Sequence, residues 1–296
     1  MAVLGTSNIT LPKKIAAGLI KTAVGGSTVA ALSGSEPQQF GDVTLMTLTA
    51  RPRAEFVGEG ADKAGTNAGF GSVTVKPHKA QVTMRFNEEV QWADEDYQLG
   101  VLSELGTAGG EALARALDFG IYHAINPLTG TAAATISEGK LNDTTNRVEV
   151  AGSADTEVEA AVGLLMANSI VPNGIALDPK YAWTLSTARY SDGRKKFPDL
   201  GFGTNITNFQ GLPASVSDTV SGLPEATDTK LRAMVGDFQN GIRWGIQRRI
   251  PVELIKFGDP DGQGDLKRKN QVALRLEVVY GWYGDKTKFA AINDLV

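Results

Sequence analysis

Residues 79–127 combine a strand pattern with a helix long enough to set the dimensions of the whole fold. In the run KAQVTMRFNEEV, apolar residues alternate with polar ones from Ala80 to Phe86, which is the period-two pattern of a half-buried strand. A helical pattern follows from Glu95 to Asn126, where Pro127 is expected to end it because proline lacks a backbone donor. Unbroken, this helix would be roughly 48 Å long. Such an element predicts packing partners along its length.

The helical run has one apolar stripe and an unusual number of glycines. The stripe recurs at steps of three and four through Tyr97, Val101, Leu105, Ala108, Ala112, Ala116, Phe119 and His123. The glycines are Gly100, Gly106, Gly109, Gly110 and Gly120. Each costs about 1 kcal/mol relative to alanine in a helix interior. They predict either a bend or break near residues 106–110 or a close approach of neighbouring backbones.

Composition excludes several classes of protein. The 296 residues include no cysteine, which excludes a disulfide framework and thiol chemistry and fits a reducing compartment. The net charge of −4 provides no general attraction to nucleic acid or anionic membranes. Lys21 interrupts the apolar run after Lys13, so a secretory leader is not expected. Every apolar run is shorter than the about 18 residues that a membrane span needs.

The chain before the long helix divides into an arm and a projecting hairpin. Residues 1–35 form the arm, with a short amphipathic pattern at residues 12–24, and partner subunits are expected to hold it in place. Residues 36–77 predict an extended β-hairpin with strands at residues 43–48, 54–57 and 73–76. The loop GEGADKAGTNAGFG within it has too little apolar surface for a core of its own.

After the long helix, helices and strands are mixed. An amphipathic helix is predicted at residues 155–169, with inward-facing Val158, Ala161, Val162, Leu165 and Met166. A buried strand follows at residues 174–177, and Pro179 begins a helix that reaches about Thr187. Further strands are predicted at residues 214–220, 233–237, 242–257, 272–278 and 288–292.

Signals for catalysis are weak. His78 and His123 are far apart in sequence, and His123 lies on the apolar stripe, which favours a packed histidine over a metal ligand. Asp259, Asp261 and Asp265 resemble the start of a calcium loop, but its twelfth position is Asn270 rather than glutamate. An ordinary turn is the simpler interpretation, and a metal-dependent enzyme using these aspartates is an alternative. The basic clusters at residues 194–196, 248–249 and 267–269 lack interleaved aromatics, which favours solvated faces or subunit contacts.

The order of these parts resembles the major capsid proteins of tailed bacteriophages, which share the Hong Kong 97 phage fold. The resemblance rests on VTVKPHKAQVTMRFNEEV before the long helix, on NGIALDP at residues 173–179 and on VGDFQNGIRWGIQRRIPVEL at residues 235–254. It implies an α+β fold with six parts: an N-arm (1–35), an extended loop (36–77), a peripheral domain with a spine helix (78–127), an axial domain (128–240), peripheral strands and loop (241–284), and a return to the axial domain (285–296).

The resemblance also implies surfaces at which copies of the chain meet. Contacts are expected on the extended loop at Arg51, Arg53, Glu55, Glu59, Lys63 and Lys76. Others are expected in the loop GDPDGQGDLKRKN, near threefold positions, at Asp259, Asp261, Asp265, Lys267, Arg268 and Lys269. There, one copy's acids would face the next copy's bases. Lys63 is a candidate for covalent cross-linking, which is not expected because no motif assigns its partner.

The function that the resemblance implies is self-assembly of pentamers and hexamers into the icosahedral head of a double-stranded DNA phage, without catalysis or cofactor. A separate scaffolding protein, a portal and a decoration protein are the implied partners, with DNA packaged non-specifically and no membrane involved. Assembly is expected in the cytoplasm of the bacterial host. An encapsulin-type shell around protein cargo is the alternative within the same fold.

Overall fold

The computed structural model describes residues 26–50, 52–66, 68–92, 95–136, 139–203 and 205–294. Its helices in these ranges are α1 (Thr28–Leu32), α2 (Glu95–His123), α3 (Ala154–Ala167), α4 (Pro179–Thr187) and α5 (Phe238–Gly241). Its strands are β1 (Val43–Ala50), β2 (Gly69–Val75), β3 (Pro77–Asn87), β4 (Ile125–Asn126), β5 (Thr131–Ala132), β6 (Arg147–Glu149), β7 (Gly174–Leu177), β8 (Asn208–Phe209), β9 (Leu212–Val216), β10 (Leu231–Gly236), β11 (Ile242–Ile255), β12 (Gln271–Gly284) and β13 (Phe289–Asn293). Within these ranges, no helix has the length and apolarity that a membrane crossing requires.

Strands β1 and β2 form the hairpin that the sequence predicts. They pair antiparallel from Val43 opposite Val75 to Ala50 opposite Gly69. The strand predicted at residues 54–57 is wrong, because residues 52–58 have irregular backbone and pair with no strand of the described chain. Residues 52–66 are exposed throughout. The described part of the chain therefore gives this loop no cover.

A three-stranded antiparallel sheet in the order β11-β12-β3 supports the long helix α2. The four positions of β12 predicted to share one face, Val272, Leu274, Leu276 and Val278, are all buried. Leu274, Leu276 and Val278 pack in one cluster with Leu113 and Leu117 of α2. Burying each such side chain contributes about 1.5–3 kcal/mol. This packing offsets the low helix propensity of the glycines.

The sequence pattern identified part of the buried face of α2, since Phe119 and His123 of the predicted stripe are buried. Leu113, Leu117 and Ile121 are buried, whereas Ala108, assigned to the stripe, is exposed. Gly106, Gly109 and Gly110 lie on the buried side. The predicted stripe was therefore incomplete near residues 106–110, because glycine has no side chain to mark it as part of a packed face.

The glycines of α2 mark close contacts rather than a break. The helix is continuous across residues 106–110, so the predicted break is wrong. A Cβ atom at Gly109 would lie 3.0 Å from a methyl carbon of Leu276, and one at Gly120 would lie 2.8 Å from the ring of Trp282. Side chains of β12, rather than the predicted neighbouring backbones, make these approaches.

Helix α2 ends three residues earlier than predicted. Its last residue is His123, and Ala124 has a φ of 53°, in the left-handed region. Ile125 and Asn126 then form β4, which pairs with β5. The predicted end at Asn126 is wrong because a turn at Ala124, rather than Pro127, redirects the chain.

A six-stranded mixed sheet in the order β6-β13-β10-β7-β9-β8 forms the second layer. Helices α3 and α4 pack on it through a separate cluster that includes Val158, Leu165 and Leu185. The predicted strand β7 and the predicted start of α4 at Pro179 are confirmed. Met166 of α3 was predicted to face inward, but 49% of it is exposed.

Residues 27–42 cross the body before the hairpin begins. Ser35 forms a parallel bridge with Trp244, and the Glu36 N–H donates to the Trp244 carbonyl at 2.8 Å. This segment passes over Gly245 and Gly281, which pair across β11 and β12 and leave a bare patch for it. Contacts within the same copy therefore hold residues 27–35, without the partner subunits that the sequence led us to expect. The predicted amphipathic pattern at residues 12–24 lies outside the described residues.

Candidate functional site

The loop between β11 and β12 is organised around Arg85 of β3. The Arg85 guanidinium donates to Asp259 Oδ1 at 2.8 Å, to Asp261 Oδ2 at 2.7 Å and to the Gly264 carbonyl at 2.9 Å. The hydrogen bond from Arg85 lowers the pKa of the Asp261 carboxyl below its usual value. The guanidinium thus occupies the position that the calcium interpretation would give to a metal ion.

The basic half of this loop is only partly engaged by its own chain. Lys267 Nζ donates to Glu88 Oε1 at 2.9 Å and lies 5.5 Å from the centre of the Phe257 ring. Asp265 accepts a hydrogen bond from the Arg268 backbone N–H at 2.9 Å. The side chains of Arg268 and Lys269 are exposed. Arg85 pairs with two acids of the loop but balances only one of their two charges, so the exposed positive charge of the loop comes from Arg268 and Lys269.

The predicted contact residues of the hairpin lie at its exposed end and base. Arg51 lies outside the described residues, whereas Arg53, Glu55, Glu59, Lys63 and Lys76 are all exposed. Glu55 accepts a hydrogen bond from the Ala64 N–H at 3.2 Å, and Thr66 donates to the Arg53 carbonyl at 2.9 Å. These bonds shape the tip without burying it.

Sequence reasoning missed the most exposed apolar residue of the hairpin. Phe56 has a relative exposure of 106%, the value of a fully solvated side chain. Exposing a phenylalanine forgoes about 1.5–3 kcal/mol of burial. A large apolar residue in a segment already rich in charges was the signal that could have identified it.

A groove of about 680 Å³ lies beside the base of the same hairpin. Its lining includes Pro77, Ile125, Leu128, Ile136 and Trp282. Leu128 has a relative exposure of 91%. The groove was not predicted, because its parts come from β3, the β4–β5 turn and β12, which are distant in sequence.

A buried carboxylate on α2 holds the start of α1. Asp118 is completely buried and accepts hydrogen bonds from the Thr28 N–H at 2.9 Å, the Val29 N–H at 3.2 Å and the Thr219 hydroxyl at 2.7 Å, and also from the Ser27 hydroxyl. Burial raises the pKa of the Asp118 carboxyl, against these hydrogen bonds. Asp118 therefore joins the arm, the long helix and residues 217–221.

His123 is the packed histidine that its position predicted. Its Nε2 lies 3.1 Å from the Thr219 carbonyl and 3.0 Å from the Val220 carbonyl. Because both are acceptors, Nε2 carries the proton. Burial lowers the pKa of His123 to about 4, so the ring is neutral at pH 7.

Comparison with known proteins identifies the family to which this chain belongs. A family model described as phage capsid protein matches residues 71–292, well over half of the chain. The chain belongs to the phage capsid protein family. It forms the shell of a phage head, as a structural protein of the virion capsid. No match was found among curated proteins.

Solved structures support the fold of this capsid protein. A chain from Mycobacterium phage Ogopogo is 50% identical, with a TM-score of 0.80 over 90% of this chain and 92% of that one. A chain from Gordonia phage Cozz is 32% identical, with a TM-score of 0.78 over 91% and 87%. A chain from Mycobacterium phage Adephagia shares the fold at 19% identity, with a TM-score of 0.69 over 92% and 91%.

The predicted α+β fold of the Hong Kong 97 type is therefore confirmed. A capsid protein assembles with copies of itself into a lattice, so its functional sites are the surfaces on which copies meet. The exposed hairpin loop, the groove and the β11–β12 loop are such candidate surfaces. Asp118, by contrast, forms its hydrogen bonds within a single copy of the chain.

Proposed function

We propose that this capsid protein forms pentamers and hexamers in a closed icosahedral lattice around the double-stranded DNA of a tailed phage. The observation that supports it is the hairpin loop at residues 52–66, which is exposed throughout and carries the fully exposed Phe56. A loop of this length with no cover of its own gains stability when neighbouring copies bury it. Permanent interfaces of that kind bury roughly 2,000–5,000 Å².

The contacts between copies involve the two charged surfaces. On the hairpin these are Arg51, Arg53, Glu55, Glu59, Lys63 and Lys76. On the β11–β12 loop, Asp259, Asp261 and Lys267 already have partners in their own copy. Asp265, Arg268 and Lys269 therefore carry most of the interaction with neighbours near threefold positions. The exposed side chains of Arg268 and Lys269 support contacts with acidic residues of a neighbouring copy.

The six-part division fits the described elements. Residues 78–127 and 241–284 form the peripheral domain around the sheet β11-β12-β3, and residues 128–240 with 285–296 form the axial domain around the six-stranded sheet. Residues 1–35 are the arm, and residues 36–77 are the extended loop. Two hydrophobic clusters are present, one confined to the six-stranded sheet and its helices and one that joins both sheets to α2.

Assembly of the head also involves proteins other than the capsid protein. We infer a separate scaffolding protein, a portal and a decoration protein, with assembly in the cytoplasm of the bacterial host. DNA is held by confinement, because a chain with a net charge of −4 has little general attraction to phosphates. The capsid protein has no catalytic role, and the pairing of Asp259 and Asp261 with Arg85 supports this.

The content of purified particles tests this proposal. Particles isolated from infected cells and treated with nuclease should retain protected double-stranded DNA, whose release requires opening the shell. Particles opened by denaturant provide the control for nuclease activity. A shell that encloses a single enzyme and no protected DNA would contradict the phage-head proposal and support the encapsulin alternative.

A further inference from the structure

Three large aromatic side chains are exposed in α4 and in the loop that follows it. Trp183 is 56% exposed, Tyr190 is 54% exposed and Phe202 is 75% exposed. A Cβ atom at Gly203 would lie 2.5 Å from the Ala182 carbonyl oxygen, so the chain beside Phe202 packs directly on the turn of α4 that bears Trp183. Exposed apolar side chains that lie together are typical of a surface that another molecule covers.

Two lysines of the basic cluster at residues 194–196 contact these rings. Lys195 Nζ lies 5.5 Å from the centre of the Phe202 ring, and Lys196 Nζ lies 5.9 Å from the centre of the Tyr190 ring. Both distances are within the range of cation–π contacts. The fold thus supplies the aromatic residues that the sequence does not interleave with this cluster. We call the resulting patch the aromatic–basic surface, which consists of Trp183, Arg189, Tyr190, Arg194, Lys195 and Phe202.

The backbone of the loop fixes the aromatic–basic surface in place. The Tyr190 N–H donates to the Arg194 carbonyl at 2.9 Å, and the Lys196 N–H donates to the Ala188 carbonyl at 2.8 Å. Arg189 also forms an antiparallel bridge with Lys195. A surface that is already ordered loses less conformational entropy on binding than a flexible one. The loop therefore presents its side chains in an arrangement that is ready for a partner.

The aromatic–basic surface has only a small excess of positive charge. Residues 189–202 include four basic and two acidic residues. Arg194 pairs with Asp192 at 2.6 Å, whereas Arg189 and Lys195 donate to backbone carbonyls. Affinity for DNA increases with the number of phosphates that lysine and arginine neutralise, so this excess supports only weak binding of DNA. The exposed rings therefore provide most of the contact area, and the cations favour an acidic partner.

We propose that the aromatic–basic surface binds a second structural protein of the particle, through an acidic segment that also contains apolar side chains. The inference rests on the proposed function, because it assigns a site to the decoration protein inferred there. Apolar side chains of the segment cover Trp183 and Phe202, and its carboxylates pair with Arg189 and Lys195. Tryptophan, tyrosine and arginine are the residues that most often provide the binding energy of protein interfaces.

The protein composition of particles from variant phages tests this inference. In a variant with Trp183→Ser and Phe202→Ser, we expect the amount of a second structural protein per capsid protein to fall by about tenfold or more. Gel staining and mass spectrometry of purified particles measure this ratio, and the number of closed, DNA-filled shells should not change. Val171→Ser is the control, since it removes another apolar side chain that is 68% exposed, and it should keep the normal composition.

Charge variants test the acidic character of the partner. Arg189→Glu combined with Lys195→Glu should cause a similar loss of the second protein, because the new carboxylates repel the acidic segment. Arg189→Lys combined with Lys195→Arg keeps both charges and should retain that protein. Retention by the first pair would contradict the acidic partner.

Cysteine labelling tests whether the surface is covered, since the chain contains no cysteine. Ser191→Cys places a thiol in the exposed turn beside Tyr190, and Ala160→Cys places one on the exposed side of α3 as a control. A maleimide should label Ser191→Cys about tenfold more slowly in otherwise unmodified particles than in particles that also carry Trp183→Ser and Phe202→Ser. Ala160→Cys should be labelled equally in both.

The other outcomes would overturn the inference. Unchanged composition in the variant with Trp183→Ser and Phe202→Ser would show that no second protein depends on this surface. Fewer closed shells of normal composition would assign the surface to a neighbouring copy of the chain. Normal shells that had lost only their DNA would assign it to the packaged DNA. Failure of the unmodified protein to form shells would instead overturn the proposed function.

Discussion

Replacing Asp118 with alanine should lower the free energy of unfolding by about 4 kcal/mol and release residues 27–35 from α2. The carboxylate accepts backbone hydrogen bonds from Thr28 and Val29 and further hydrogen bonds from the hydroxyls of Ser27, Thr28 and Thr219. Each buried donor left without an acceptor costs about 1–3 kcal/mol. Thermal unfolding followed by circular dichroism should show a midpoint roughly 10 °C lower.

Two variants separate the carboxylate from a general effect of substitution. Asp118→Asn keeps the size and one accepting oxygen, so it should lose about half as much stability. Asp143→Ala removes a carboxylate that is 51% exposed, and it should change stability by no more than about 0.5 kcal/mol. An unfolding midpoint for Asp118→Ala within one or two degrees of the unmodified protein would show that the arm is held by other contacts.

Replacing Gly245 with alanine should displace the segment that leads into the extended loop. The new Cβ would overlap the backbone carbonyl oxygen of Glu36. That segment cannot shift freely, because the Glu36 N–H donates to the Trp244 carbonyl at 2.8 Å. Overpacking of this kind costs about 1–3 kcal/mol. Particle yield should also fall, since residues 36–42 set the direction in which the hairpin leaves the body.

Gly163 provides the matched control for this substitution. It lies within α3, and a Cβ atom there would meet nothing within 4 Å. Gly163→Ala should therefore raise the free energy of unfolding by about 0.5–1 kcal/mol. Differential scanning calorimetry of both variants compares the two effects. If Gly245→Ala proved as stable as Gly163→Ala and assembled normally, the bare patch would have no role in guiding the hairpin.

Local sequence patterns were sufficient to locate the elements whose signal lies in residues close together in sequence. Strand β3, strand β7 and the start of α4 at Pro179 follow from alternation, a short apolar run and the helix-starting role of proline. The β1–β2 hairpin was predictable for the same reason. These features depend on residues close together in sequence.

Features that depend on distant residues were not predictable. Asp118 contacts Ser27 and Thr219, which are 91 and 101 positions away. The groove combines residues as far apart in sequence as Asp42 and Trp282. The buried face of α2 was predicted only in part, because Gly106, Gly109 and Gly110 contribute no side chain to the pattern. The strand predicted at residues 54–57 rested on Phe56 and Val57, and no strand of the described chain pairs with this segment.

Electron microscopy of the purified protein tests the central claim most directly. The chain would be expressed with the structural proteins of its phage, and the particles would be imaged and averaged. We predict closed shells built from rings of five and six subunits, with each extended loop lying on the adjacent subunit. A protein that remained a monomer or dimer under all assembly conditions, or shells in which each loop folded back on its own subunit, would contradict the account.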